Sequence, residues 1–119
     1  MKKTFFNDTA TTEIYTLCYT LSLHDALPIL DPDQLAWAGN EVALQDQGQV
    51  LRLDRLVAID GASGREWWVL DYKLQHRPQA LAAYRAQMQR YVAAVSALQP
   101  GEVVRAAFIT GAGEWVPLE

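Results

Sequence analysis

The sequence predicts an α/β fold, a mixed β-sheet with one helix packed across it in the order β-β-β-α-β-β. Three observations carry that expectation. Val, Leu and Ile alternate with polar residues through "EVALQDQGQVLRLDRLVAID" (41–60) and apolar residues dominate "REWWVLDYK" (65–73), as strands require. Leu81, Tyr84, Met88, Tyr91, Val95 and Leu98 then recur at steps of three and four, the stripe of an amphipathic helix. A further apolar run, "EVVRAAFIT" (102–110), precedes "EWVPLE" (114–119).

Taken in order, "DPDQLAWAGN" (31–40) holds Pro32 and Gly39 around a short apolar patch and reads as a loop or the remnant of an earlier element. Residues 41–60 read as two strands joined by a turn over Asp46 to Gln49, where Gly48 supplies the bend. "DGASG" (60–64) is a second hairpin turn and leads into the third strand. Pro78 suits a first helical turn, and "QPG" (99–101) stops the helix. The last two runs are strands around "GAG". No internal repeat or low-complexity tract interrupts the pattern.

The first thirty residues follow neither a repeat of 2 nor of 3.6. "NDTATTEIYT" (7–16) and "TLSLHDALPI" (20–29) resemble the conceptual translation of a short-read sequencing adapter, with Leu17, Cys18 and Tyr19 where an eight-base index would fall. Residues 1–29 are therefore expected to be non-native and disordered, and are set aside like a fusion scar. His24 and Asp25 adjoin because two adapter codons adjoin, so no catalytic role is assigned to them. The interpretable chain, 31–119, holds eight Lys and Arg against eleven Asp and Glu. An adapter abutting coding sequence also implies a native N-terminal part that is missing here.

A formal net charge of −4 and a pI near 5.1 argue against a free-standing basic nucleic-acid binder, so any DNA contact must be local. The single cysteine excludes an internal disulfide and a Cys-rich zinc site. "MKKTFF" begins like a signal peptide, but the polar "NDTATTE" follows where an apolar core should run, and no stretch approaches membrane-spanning length. The expected location is the cytoplasm, with no membrane partner.

In a strand, side chains two apart share a face, so Asp71 and Lys73 of "DYK" project together while Tyr72 points away. A carboxylate and an ammonium in one site can hold a divalent metal, stabilise charge on a phosphate and position an attacking water. Asp54 in "RLDRLV" lies mid-strand in the preceding element, where strand pairing would place it beside Asp71. Oxygen donors of this kind suit Mg²⁺, with Mn²⁺ as a substitute. A D-x-K triplet alone is more often a solvated strand face. Here the charges interrupt apolar runs, where they need partners or a metal.

"GQVLRLDRLV", "WWVLDYK" and "YRAQMQRY", in that order, resemble the PD-(D/E)XK nuclease superfamily, and within it the RecB-like domain at the C-terminus of RecB- and AddA-type helicase-nucleases. The ending "VRAAFITGAGEWVPLE" is similar to the tails of these proteins, and the resemblance covers nearly all of 40–119. It implies a restriction-endonuclease-like core, with residues 30–119 the C-terminal portion of the domain. It further implies Asp54 and Asp71 as metal ligands, the Tyr72 backbone carbonyl as a further ligand, and Lys73 as the catalytic lysine. Gln87 and Tyr91, one helical turn apart, would face the DNA strand or brace the site, although core packing explains both about as well, Tyr91 belonging to the apolar stripe and Gln87 flanking it. Glu41 in "NEVAL" would support the ligands rather than join them. Trp67 and Trp68 point to opposite faces, one into the core and the other available for stacking on DNA. His76 and Arg77 sit in a loop, solvated or touching phosphate.

The implied activity is Mg²⁺-dependent, exonuclease-type hydrolysis of DNA in double-strand break repair and recombination, with the fragment itself inactive. ATP and a partner subunit would come in only through absent upstream helicase domains, since no P-loop occurs here. The family's upstream helical motif, with its metal-binding His, has no counterpart. Two alternatives stand beside this reading: a degenerate nuclease fold that binds DNA or docks a subunit without catalysis, and a stand-alone nuclease of the same superfamily.

Overall fold

The structure, a computed structural model, describes residues 32–62 and 64–118; the adapter-like segment 1–29, with His24, Asp25 and Cys18, lies outside them. Among the described residues there are five strands and one α-helix: β1 (Leu35–Asp46), β2 (Gln49–Gly61), β3 (Gly64–Lys73), α1 (Ala82–Leu98), β4 (Val103–Thr110) and β5 (Trp115–Leu118). They form one mixed sheet in the order β1-β2-β3-β4-β5. β3 and β4 run parallel with α1 as their crossover, and the other neighbours are antiparallel. The expected α/β layout is therefore met. No described helix is long and apolar enough to cross a membrane.

Turn chemistry sets the registers. Gln47 (φ 49°) and Gly48 (φ 79°) both take positive φ between Asp46 and Gln49, the two-residue turn whose twist matches a hairpin. Gly61 pairs with Gly64 to close the second hairpin. β5 lies at an edge, where Pro117 costs no ladder hydrogen bond to a further strand.

Two boundaries differ from the sequence reading. β1 begins at Leu35 rather than at 41, because the second half of β2 needs a partner: Trp37, Ala38 and Gly39 pair with Ala58, Val57 and Leu56, and Trp37 packs against Trp67 at 5.8 Å. Pro78 opens a separate 3-10 turn, Pro78–Ala80, and the α-helix starts only at Ala82. Between them Leu81 is extended (φ −93°, ψ 116°) and 44% exposed, so it leaves the apolar stripe and instead lends its carbonyl to the Tyr84 and Arg85 N–H groups. At the other end, Gln99 N–H closes onto the Val95 carbonyl and Gly101 turns away at φ 85°.

The core lies between α1 and one face of the sheet. Met88, Tyr91, Ala94 and Val95 pack on Val42, Leu44, Leu51, Leu53, Leu56, Ala58, Trp67, Val69 and Phe108. Burying each large aliphatic side chain is worth about 1.5–3 kcal/mol. Arg90 pins α1 to the tip of the first hairpin, donating to Gln49 and approaching Asp46 at 3.7 Å. The opposite face carries Val57, Leu70, Ala107 and Ile109, flanked by Trp68, Tyr72 and Trp115.

Beyond a register shift between Leu35 and Trp37, the strict alternation of inward and outward residues slips once in β1 and once in β2. Leu51 and Leu53 face α1, and so do Leu56 and Ala58; across the ladder, Val42 and Leu44 face α1, and so does Trp37. The slip falls at Glu41 and Asp54, which lie between the paired rungs Asn40 with Arg55 and Val42 with Leu53. Glu41 absorbs it with φ 49°, a conformation that costs a non-glycine residue about 1 kcal/mol or more. Its carboxylate reaches Arg52 at 3.8 Å. Glu41→Gly is therefore expected to leave the protein about 1 kcal/mol more stable than Glu41→Ala in urea unfolding. Equal stability of the two variants would show that the backbone there carries no strain.

Candidate active site

β2 and β3 pair as far as Arg55 with Leu70 and then part. β3 nevertheless continues beside β4 to the rung Lys73 with Thr110. Asp54 and Asp71 are the first residues beyond the last β2–β3 rung, so they sit in the crotch of a fork rather than opposite each other in a continuous ladder. Where a strand would have supplied a carbonyl, Asp54 Oδ2 accepts the Tyr72 N–H at 3.0 Å.

On β3 the pleat sorts the side chains. Trp67 and Val69 face α1, so Asp71 and Lys73 project the same way, while Trp68, Leu70 and Tyr72 face the far side. Lys73 Nζ lies 2.9 Å from Asp71 Oδ2. That oxygen is fully buried and meets the ammonium as an ion pair rather than through a well-aligned hydrogen bond. The lysine also donates to Gln87 Oε1 at 3.3 Å, and Gln87 Nε2 donates in turn to the Tyr91 hydroxyl at 3.0 Å. The Tyr84 ring faces the same ammonium, 4.2 Å from its centroid.

The electrostatics follow from this crowding. Burial raises the Asp71 carboxyl most, and the neighbouring Asp54 adds to it through a shared hydrogen bond and charge repulsion; against the pull of Lys73, its pKa climbs from 3.8 to about 7. Burial draws the Lys73 ammonium down, but Asp71, Tyr84 and Asp54 outweigh it, leaving the group above its usual 10.5 and firmly charged. The Tyr91 phenol is also raised, by burial first and then by Asp71 and Asp54.

Asp54, Asp71, Lys73, Gln87 and Tyr91, singled out in the sequence, thus meet in one corner. Tyr91 serves both expectations, being 8% exposed in the core while its hydroxyl faces Gln87. Glu41 is held by Arg52, and among the described residues no group of three or more His, Cys, Asp or Glu side chains gathers, so it adds no third carboxylate. Trp68 does not face this corner: it lies on the opposite side of the sheet against Trp115, at 5.1 Å, and so offers no stacking platform at the site. Trp67 is core, as one of the pair had to be. His76 and Arg77 are exposed in the loop after Lys73. Tyr84 was missed as a site residue. Its signal was present, since it precedes Gln87 by three residues and so shares its helix face.

Two carboxylates and a backbone carbonyl offer oxygen donors alone, and the buried Asp71 Oδ2 has the Lys73 ammonium beside it at 2.9 Å. That set fits a hard divalent cation that keeps part of its water.

Asp71 binds its proton more tightly in the folded than in the unfolded chain, so stability falls as pH rises from about 4 to about 7 and then levels. In metal-free buffer Asp71→Asn is expected to flatten that decline and to raise Tm at pH 8 relative to the parent. A Tm–pH profile unchanged by the substitution would mean that Asp71 ionises normally. No family model, curated protein or solved structure matches the chain.

Proposed function

We propose that the Asp54–Asp71–Lys73 corner is the centre of a Mg²⁺-dependent deoxyribonuclease of RecB-like, PD-(D/E)XK type, the nuclease domain of a helicase-nuclease acting in double-strand break repair and recombination. One observation carries the reading: the strand fork brings two carboxylates and a charged lysine together on the face turned to α1, tied by a side-chain hydrogen bond to that helix. The order and spacing of the three motifs in the sequence support it independently.

Asp54 and Asp71 would hold the cation, with the Tyr72 carbonyl and water filling other positions. When bound, the cation would supply Lewis acidity, activating water and neutralising charge on the scissile phosphate. The chain's own residues do the rest. Asp54 keeps its carboxylate oriented through the Tyr72 N–H. Lys73, held charged by Asp71, is suited to stabilise negative charge developing on the phosphate and to orient the attacking water rather than to remove its proton. Gln87 fixes the lysine from the helix, and Tyr91 fixes Gln87. The exposed His76 and Arg77 offer local phosphate contacts in a chain whose overall charge repels DNA.

Calorimetric titration of the chain with Mn²⁺ is expected to show a single site that Asp54→Asn or Asp71→Asn abolishes and Asp60→Asn leaves intact. Joined to its native upstream coding sequence, the protein should cleave linear DNA with Mg²⁺. Lys73→Ala should then slow cleavage roughly 100-fold or more with DNA binding retained. Cleavage unaffected by both Asp71→Asn and Lys73→Ala would refute the assignment.

A further inference from the structure

Lys73 is the last residue of β3, and its side chain has four rotatable carbons leading to the ammonium. The residues that follow, 74–77, are all exposed, and Leu74 is 91% exposed. The chain beyond Lys73 contributes little to hold such a head group. The ammonium is nonetheless engaged on three sides: by Asp71 at 2.9 Å from its own strand, by Gln87 at 3.3 Å, and by the Tyr84 ring at 4.2 Å from α1.

The ring is a fixed surface rather than a passing neighbour. Tyr84 lies in the first turn of α1, where its N–H bonds the Leu81 carbonyl at 3.1 Å. Its ring leans on Phe108 at 6.3 Å and 50°. Phe108 is fully buried and is the rung partner of Asp71 on β4. The aromatic ring and the carboxylate that contact the lysine are thus located by the same rung of the sheet. Tyr84 is also less buried than Met88, Tyr91 and Val95 further along the stripe, so packing the core is not its whole use.

We propose that Tyr84 is a positioning residue for Lys73, its ring face holding the ammonium by a cation–π contact alongside the Asp71 ion pair and the Gln87 hydrogen bond. The negative face of the ring attracts the charge without accepting a proton or a directional hydrogen bond. It restricts where the head group goes while leaving N–H groups available to a phosphate or water. Any consequence for DNA cleavage rests on the nuclease reading above; the seat itself does not.

The chain has only three lysines, Lys2, Lys3 and Lys73, so a spectrum of protein labelled with ¹³C-lysine is simple to assign, with Lys73→Arg identifying the signal of interest. The Lys73 ε-methylene protons are expected upfield of the free-lysine position, shielded by the ring above them. Tyr84→Phe keeps the ring and should keep that shift. Tyr84→Leu, similar in bulk but without a π face, should lose it, while the Met88 methyl signal stays in place to show the core intact. Should Tyr84→Leu unfold, Tyr84→Met supplies the same comparison. An unshifted Lys73 signal in the parent protein, or one that survives in the Leu or Met variant, would overturn the proposal. So would loss of the shift in Tyr84→Phe, which would assign the contact to the hydroxyl. Because the measurement needs neither metal nor DNA, a shifted lysine in a protein that binds no Mn²⁺ at this corner and never cleaves even when joined to its upstream sequence would reject the nuclease reading and leave the seat standing.

Discussion

The site depends on one backbone amide. Where β2 and β3 part, the Tyr72 N–H faces a strand that is no longer there, and a buried amide without an acceptor is costly. Asp54 fills the gap with its side chain. That substitution anchors a carboxylate in the crotch of the fork, beside Asp71. A continuous ladder would have closed the space, and an Asn or Ser there would have supplied an acceptor without the charge.

The charge balance in this corner follows from the same geometry. Asp54, Asp71 and Lys73 together carry one excess negative charge when all are ionised, and the buried Asp71 is screened least by water. The chain on its own relieves this by holding a proton near Asp71, whose affinity for it reaches to about pH 7. A divalent cation is the other way to relieve it, and oxygen donors are what such a cation selects. Asp71 therefore links the stability of the empty fold to the chemistry proposed for the site.

α1 serves two ends at once. One run of its residues, Met88, Ala94 and Val95, seals the sheet, while Tyr84, Gln87 and Tyr91 turn polar or aromatic atoms toward Lys73. Tyr91 belongs to both sets. Because Arg90 ties the helix to the first hairpin and Leu81 delays its start until after the loop, the helix cannot rotate without dragging the site's inner wall. The core and the candidate site are thus mechanically one unit, which is why substitutions along this helix must be judged by more than fold stability.

The sequence by itself determined the elements and their chemistry. Period-2 and 3.6 patterns located the strands and the helix, Gly48 and the Gly61–Gly64 turn marked the hairpins, and D-x-K spacing put Asp71 and Lys73 on one face, because these are local consequences of backbone geometry. What it could not determine is where the pairing between strands shifts or stops. The slip at Glu41 and Asp54, the early start of β1 and the end of the β2–β3 ladder are pairing events, invisible in either strand alone. So is the three-sided hold on Lys73, since Tyr84 looks like one more member of an apolar stripe until the parallel crossover brings α1 over the end of β3. Tertiary structure decided these because long-range contacts, not local propensity, fix where a ladder stops and which side chain fills the opening.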